Sequence, residues 1–412
     1  MNKQQEPRLR FKGFTGAWEE NVLEEVVNFF SGLTYSPNDV VKNGTLVLRS
    51  SNVQDNQITT EDNVFVKESA VNCQNVEVGD VIVVVRNGSR SLIGKHAIIK
   101  EKMPNTVIGA FMTGVRSNQP DFLNALLDSY KFNQEIEKNL GATINQITTG
   151  AFRKMEFSLP SLPEQTHLGL FFRRLDSQIA ESRAVLEKSR QLKKAMLAKM
   201  FPANGEKIPK TRFKGFEGEW REWKLGAFGK ATSGTSLESE FCEDGNYKVI
   251  SIGSYSEKST YTDQGIRTHK NDKTEKRILN KNDLTMILND KTSSGRIIGR
   301  VLLIDQNDTY VYNQRTQRIE IDQEHFIPLF LYHLLNAENM RQKIIYSAQG
   351  NTQIYVNWSG IKNLEYLIPP TKAEQAAIGN FFRQLDETIA LQSAEVEKLN
   401  QIKKGLLAAM LV

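Results

Sequence analysis

The chain has 412 residues, enough for two ordinary domains, and its 39% apolar and 25% charged content fits a soluble globular protein. Its net charge of +5 permits nucleic-acid binding without demanding it. Two distant cysteines, Cys73 and Cys242, argue against a disulfide framework or zinc site and fit a reducing compartment; the five histidines show no HxH or HExxH spacing; the start lacks an apolar signal core, and no apolar run approaches the roughly 20 residues of a membrane span.

In chain order, the first notable stretch is PRLRFKGFTGAW at 7–18, which returns as PKTRFKGFEGEW at 209–220. The region from about 22 to 160 reads mostly as strand. Residues 46–50 are short and β-rich, and 95–100 and 106–115 continue the pattern. Residues 81–85 form an unbroken apolar run after Gly79-Asp80, which predicts a strand buried on both faces. Pro120-Asp121 opens a helix with Phe122, Leu123, Leu126, Leu127 and Tyr130 on one face. A second amphipathic stretch at 136–140 stops at Gly141, and SLPSLP at 158–163 reads as a rigid exit.

Residues 164–200 then form a long helix, and they recur without a gap at 374–410. Glu164-Gln165 matches Glu374-Gln375, Phe171-Phe172 matches Phe381-Phe382, Leu175-Asp176 matches Leu385-Asp386, and Lys193-Lys194 matches Lys403-Lys404. In the second copy Ile378, Phe382, Leu385, Ile389, Gln392, Val396, Leu399, Lys403, Leu406 and Met410 step by alternating four and three. That is the seam of a helix packing lengthwise on another long helix. At about 1.5 Å per residue each helix spans about 50 Å. The first copy places Ser182, Ser189 and Lys193 on its seam, a flaw that helices of other subunits would complete.

Between the copies, 201–210 (FPANGEKIPK) reads as a linker. The second half retraces the first. Residues 249–252 stand for 48–51, 282–286 for 79–83, Ile298-Gly299 for Ile93-Gly94, Gly350-Asn351-Thr352 for Gly141-Ala142-Thr143, and 367–370 for the first exit. The frame repeats while the loops differ: 86–92 has little in common with 289–297. A duplicated frame with diverged loops points to two related tasks on two targets. The expected partition is 1–160, 161–202, 203–370 and 371–412, domain and long helix alternating. Because the opening motif also follows the first long helix, the second long helix should end beside Pro7 as the first ends beside Pro209. This predicts a closed, pseudo-two-fold arrangement with neighbouring termini.

No catalytic motif emerges. Gly88 to Lys95 has five residues between its glycines and His96 where a phosphate loop needs Ser or Thr. Pro369-Pro370 follows Ile368, unlike the Asn/Asp-Pro-Pro-aromatic site of amino-methyltransferases. Polar residues gather instead at strand ends. These are Arg49, Ser51, Asn52, Arg86, Asn87, Arg90, Lys95 and Arg116 in the first half, and Ser251, Asn289, Lys291, Arg296, Arg300, Asn313, Arg315 and Arg318 in the second. Arg and Lys suit guanine edges and phosphates, and Asn suits adenine edges, so these are the DNA-binding candidates. The bland alternative is solvated loop surface. A helix-packing seam is expected at Phe171, Phe172, Leu175, Ile179, Leu186, Phe381, Phe382, Leu385, Ile389 and Val396, with the four phenylalanines exposed for a partner.

The paired RFKGFxGxW motifs, the paired Pro-rich exits with Glu-Gln, and the paired FFRxLD…LKKA/IKKG helices cover nearly the whole chain. Together they resemble the specificity subunit of a type I restriction–modification enzyme. The resemblance implies an α+β fold of two strand-rich, mixed target-recognition domains joined by two long antiparallel coiled-coil helices. Each domain would read one half of a split double-stranded DNA site, and the helices would set the spacer. Two methyltransferase subunits and restriction/translocase subunits would assemble on this non-catalytic, cytoplasmic chain. S-adenosylmethionine, ATP and magnesium would belong to those partners, whose assembled activities would be DNA adenine methylation and ATP-dependent cleavage. The rival readings are an enzyme with an unrecognised site and a coiled-coil scaffold with two peptide-binding domains.

Overall fold

The computed structural model describes residues 6–140 and 145–412. The stop at Gly141 and the first member of the Gly141/Gly350 match lie outside the described residues. The chain forms two compact units: Met1–Ala184 with Ser393–Val412, and Val185–Gln392. Each unit contains one globular domain, the start of the long helix that follows it, and the end of the other long helix.

In the first unit an antiparallel sheet runs in the order Asn28–Ser31, Met112–Arg116, Val81–Val84, His96–Ile98. A second sheet runs Thr106–Ile108, Thr45–Leu48, Val64–Val66, Val40–Val41, its first pair parallel. The apolar run at 81–84 is buried at every position, as a strand covered on both faces must be. The strand expected at 46–50 stops at Leu48, because Asn52 Oδ1 accepts from the Arg49 N–H (2.9 Å) and turns the chain into a 3-10 segment. Two helices follow, Pro120–Leu127 and Tyr130–Asn139. Ser129 caps the second by accepting from the Phe132 N–H.

The second unit repeats both sheets. One runs Gly229–Ser233, Thr316–Ile321, Leu284–Ile287, Val301–Leu303; the other runs Phe241–Cys242, Arg267–Thr268, Tyr247–Ile250, Tyr310–Tyr312, its last pair parallel. Strand register corrects one sequence match. Gly109 N–H donates to Leu48 O and Asn313 N–H donates to Ile250 O. The counterpart of Leu48 is therefore Ile250, one residue beyond the expected position, and Ser251 stands for Arg49. Gly94 and Gly299 are equivalent and both have positive φ, +86° and +75°. A Cβ on Gly299 would lie 2.8 Å from Ile344, so glycine is required for conformation and for space.

The long helices span Leu162–Met200 and Lys372–Met410, 39 residues each. They start two residues before the repeated Glu-Gln pair, which places Glu164 and Glu374 in first turns, where the helix dipole favours acids. All ten seam positions of the second helix are buried or half-buried. In the first unit Leu168 and Phe172 share a core with Leu407, Met410 and Leu411. In the second, Met200 and Phe201 share one with Ile378 and Phe382.

The phenylalanines do not form the exposed partner surface expected from sequence. Phe172 and Phe382 are 1% and 0% exposed inside their own cores. Phe171 and Phe381 are half-buried, edge-on to Phe11 and Phe213 at 5.6 and 5.8 Å. Adjacent Phe residues cover more than one face of a helix, and the opening motif occupies the second face. Of the other seam positions, Leu175, Ile179 and Leu186 are buried, and Leu385, Ile389 and Val396 are half-buried.

Candidate nucleic-acid interface

The repeated motifs build a frame. Arg10 Nε and Nη2 donate to Glu164 at 2.7 Å each, while Nη1 reaches Gly16 O at 2.6 Å. Arg212 does the same to Glu374 at 2.7 and 2.8 Å, and to Gly218 O at 2.7 Å. Both glutamates are 1% exposed, so each buried charge has a bidentate partner. Leu9 N–H donates to Ala409 O and Thr211 N–H donates to Lys199 O, both at 2.9 Å. Each opening motif thus seats on the end of the other copy's long helix. The second long helix ends beside the first opening motif, as the repeat predicts.

The seam lysines are not flaws awaiting another subunit. Lys403 Nζ lies 2.5 Å from Asp176 and 2.6 Å from Asp128. Lys193 makes the equivalent ion pair with Asp386. Burial alone would push Asp128 up, but His96 and Lys403 outweigh it and hold the carboxyl down at about 2. Burial pushes His333 down to about 3, with Lys193 adding to the effect.

The DNA-binding candidates divide into engaged and available groups. Asn52 is fully buried; its Oδ1 accepts from Arg49 N–H and its Nδ2 donates to Thr59 O. Asn313 holds Leu237 N–H and Glu238. Arg116 pairs with buried Asp80 at 2.7 Å, and Arg318 pairs with buried Asp283 at 2.8 Å. Arg49 binds Asp62, Arg90 binds Glu137, and Arg296 binds Glu257. Lys95 donates to Val53 O, and Arg300 donates to Ser259 Oγ. Ser251 N–H donates to Ser254 Oγ, while Ser51 Oγ is buried without a hydrogen-bond partner among the described residues. Apart from the two serines, these side chains already hold the protein's own structure.

Arg86, Lys291 and Arg315 are exposed and make no ion pair among the described residues. Arg86 lies 4.9 Å over the ring of Phe111, which is 52% exposed. Asn87 Nδ2 donates to Ser50 Oγ at 2.9 Å, so the ends of the 45–48 and 81–84 strands meet the 109–111 turn at one surface. In the second unit the same surface carries Asn289, Arg315 and Tyr355. Phe111, Gln146 and Tyr355 were missed from sequence, because only strand register shows that they flank the candidate arginines; a bulky apolar residue in the short connection between two strands was the available signal for Phe111. Folding also brings Cys242, Asp244 and His269 together, with ligand atoms within 4.8 Å, although they come from separate strand ends and have no sequence spacing. Among the described residues, no helix is long and apolar enough to cross a membrane.

Comparison with known proteins agrees with this duplicated frame. The type I restriction modification DNA specificity domain family matches residues 16–188 and 217–403. The chain is 23% identical over 412 aligned residues to the StySPI specificity subunit of a type I restriction enzyme from Salmonella potsdam, covering 95% of this chain and 88% of that protein. It is 24% identical over 278 residues to the MjaVIII specificity subunit from Methanocaldococcus jannaschii, covering 66% and 64%. The fold is similar to a crystal structure of a type I restriction–modification S subunit from M. genitalium, with a TM-score of 0.63, 13% identity and 99% of both chains covered. With two copies of the domain on a repeated helical frame, the chain belongs to the type I restriction–modification DNA specificity family.

Proposed function

We propose that this chain reads a bipartite DNA site on behalf of a multi-subunit restriction–modification complex. Each globular domain reads one half, and the long helices fix the gap between the halves. Two methyltransferase subunits dock on the helices, with restriction/translocase subunits joining the assembly. This chain is non-catalytic and acts in the cytoplasm. S-adenosylmethionine, ATP and magnesium serve the partners, which methylate adenine and cleave DNA in the assembled complex.

The observation that carries this reading is the contrast between frame and loops. The Arg–Glu clamps, the Lys–Asp pairs and both sheet orders recur at aligned positions. The side chains at the loop ends do not recur. A scaffold selected for one peptide class would have no reason to keep its frame and vary both surfaces. The names of the relatives, specificity subunits of type I restriction enzymes, favour the same reading.

The methylated motifs of the host genome, compared with and without this chain, test it. A split motif that disappears with the chain supports the proposal. An unchanged methylome would refute it. Duplex binding should also weaken steeply with salt, as phosphate neutralisation requires.

A further inference from the structure

Both domains display different side chains on one shared backbone mesh. In the first, Val85 N–H and Arg86 N–H donate to Phe111 O at 3.0 and 3.2 Å, Ile147 N–H donates to Val85 O at 2.9 Å, and Arg86 bridges Gln146. In the second, Leu288 N–H donates to Arg315 O and Val356 N–H donates to Leu288 O, both at 2.8 Å, and Asn289 pairs with Tyr355. The register makes 86, 111 and 146 equivalent to 289, 315 and 355. We propose that these three positions carry the base-reading side chains, Arg86, Phe111 and Gln146 for one half-site and Asn289, Arg315 and Tyr355 for the other. This rests on the DNA-reading function proposed above.

Three observations select these positions. First, Arg86 and Arg315 are free of acidic partners among the described residues, whereas Arg49, Arg90 and Arg296 are not. Second, Phe111 leaves half of a large apolar ring in water and holds the Arg86 guanidinium over its face. The ring and the guanidinium above it present one flat face where the turn between the two sheets reaches the surface. Third, Arg315 has φ +65°, the left-handed region that a long side chain rarely adopts. Backbone strain of this kind concentrates at functional sites. The mesh itself explains how the strain is held, since Arg315 O accepts from Leu288 N–H.

The chemistry differs between the halves. Arg86 offers a bidentate fork for guanine N7 and O6, Gln146 an amide for adenine, and Phe111 an apolar face for a thymine methyl. Arg315 offers the guanine fork in the second half, Tyr355 a ring and hydroxyl, and Asn289, whose Oδ1 is buried, its amide N–H as a donor to a base acceptor. The two triads have no residue type in common at equivalent positions, so the two half-sites should differ in sequence.

The test uses the complete complex carrying the full chain, with methylated motifs read from genomic DNA. Arg86→Ala or Phe111→Ala should relax base preference in one half-site about 10-fold at the contacted positions, leaving the other half and the spacing unchanged. Arg86→Lys keeps the charge but loses the fork. It should fail to restore preference if Arg86 reads a base; restoration would overturn that role in favour of phosphate contact. Arg315→Gly relieves the positive φ, so stability should hold or rise while the second half-site relaxes. If the native chain gives a split motif and all these variants keep its base preferences, the triads are not the readers although the DNA-reading function stands. If the native chain gives no split motif, that function fails first.

Discussion

Lys403 of the second long helix lies 2.5 Å from Asp176 of the first, and Lys193 of the first meets Asp386 of the second in the same way. The Lys-Lys and Leu-Asp dipeptides that mark the sequence repeat are therefore partners of each other across the two copies. Each lysine holds a seam position, where an unpaired ammonium would be costly. The pairing fixes register: sliding one helix by a turn would strand both charges. A charged seam residue thus specifies alignment more than it adds stability.

The two lysines should differ in cost when removed. Lys403 is the more buried and neutralises both Asp128 and Asp176. Lys403→Met should destabilise the first unit by about 3 kcal/mol or more, because it leaves two enclosed carboxylates. Lys193→Met, at a more open pair, should cost about 1 kcal/mol. Urea unfolding of both variants measures the difference, and equal losses would show that burial does not decide it.

Mild acid should weaken the second unit. His333 is buried and neutral, with a pKa held near 3 by burial and by Lys193; Asp386, 4.0 Å away, does not compensate. Its folded pKa lies below the unfolded value of about 6.5, so its neutral form stabilises the fold above that value. That contribution is lost as pH falls from about 6.5 toward 3, at about 1.4 kcal/mol per unit. His96 behaves oppositely: burial would lower it, but Asp128 raises it, so its contribution is full below 6.5 and lost as pH rises through the raised value. Melting temperatures of the native chain and His333→Asn should converge as pH falls from 7 to 5. A constant gap would remove His333 as the cause.

The Leu9–Ala409 hydrogen bond joins the opening motif to the end of the second long helix within the first unit. A circular permutant joining Val412 to Met1 and opened within 203–207 should fold with a similar far-ultraviolet spectrum and a cooperative melt. A reproducibly unfolded permutant would mean that the native chain order is needed for closure.

Inserting one heptad after Glu187 and another after Glu397 lengthens both helices in phase with the seam. The readers should separate by about 10 Å, or about three base pairs. Methylated motifs should show unchanged halves and a longer gap. An unchanged gap would refute the spacer role of the helices.

Much of the frame was legible in the sequence because the duplication supplied a second, independent copy of each constraint. The seam was readable from its four-three steps, and the strand at 81–84 from its unbroken apolar run. The seam lysines and the Phe-Phe pairs misled, since sequence shows that a residue departs from its pattern but not which distant group satisfies it. Asp176 answers Lys403 and Phe11 answers Phe171, each from a remote part of the chain. The candidate interface was only partly legible. Arg, Asn and Lys at strand ends were visible, yet Arg116 and Asn52 prove to be internal ties, and Phe111 became visible only through register with Arg86.

Two independent readers share one repeated frame. Replacing residues 22–158 with the corresponding domain of another family member, and sequencing the methylated sites of a strain that carries the chimera in its complex, tests this most directly. The predicted result is a change confined to one half-site, with the other half and the spacing preserved. A chimera that folds and assembles yet alters both halves, or neither, would contradict it.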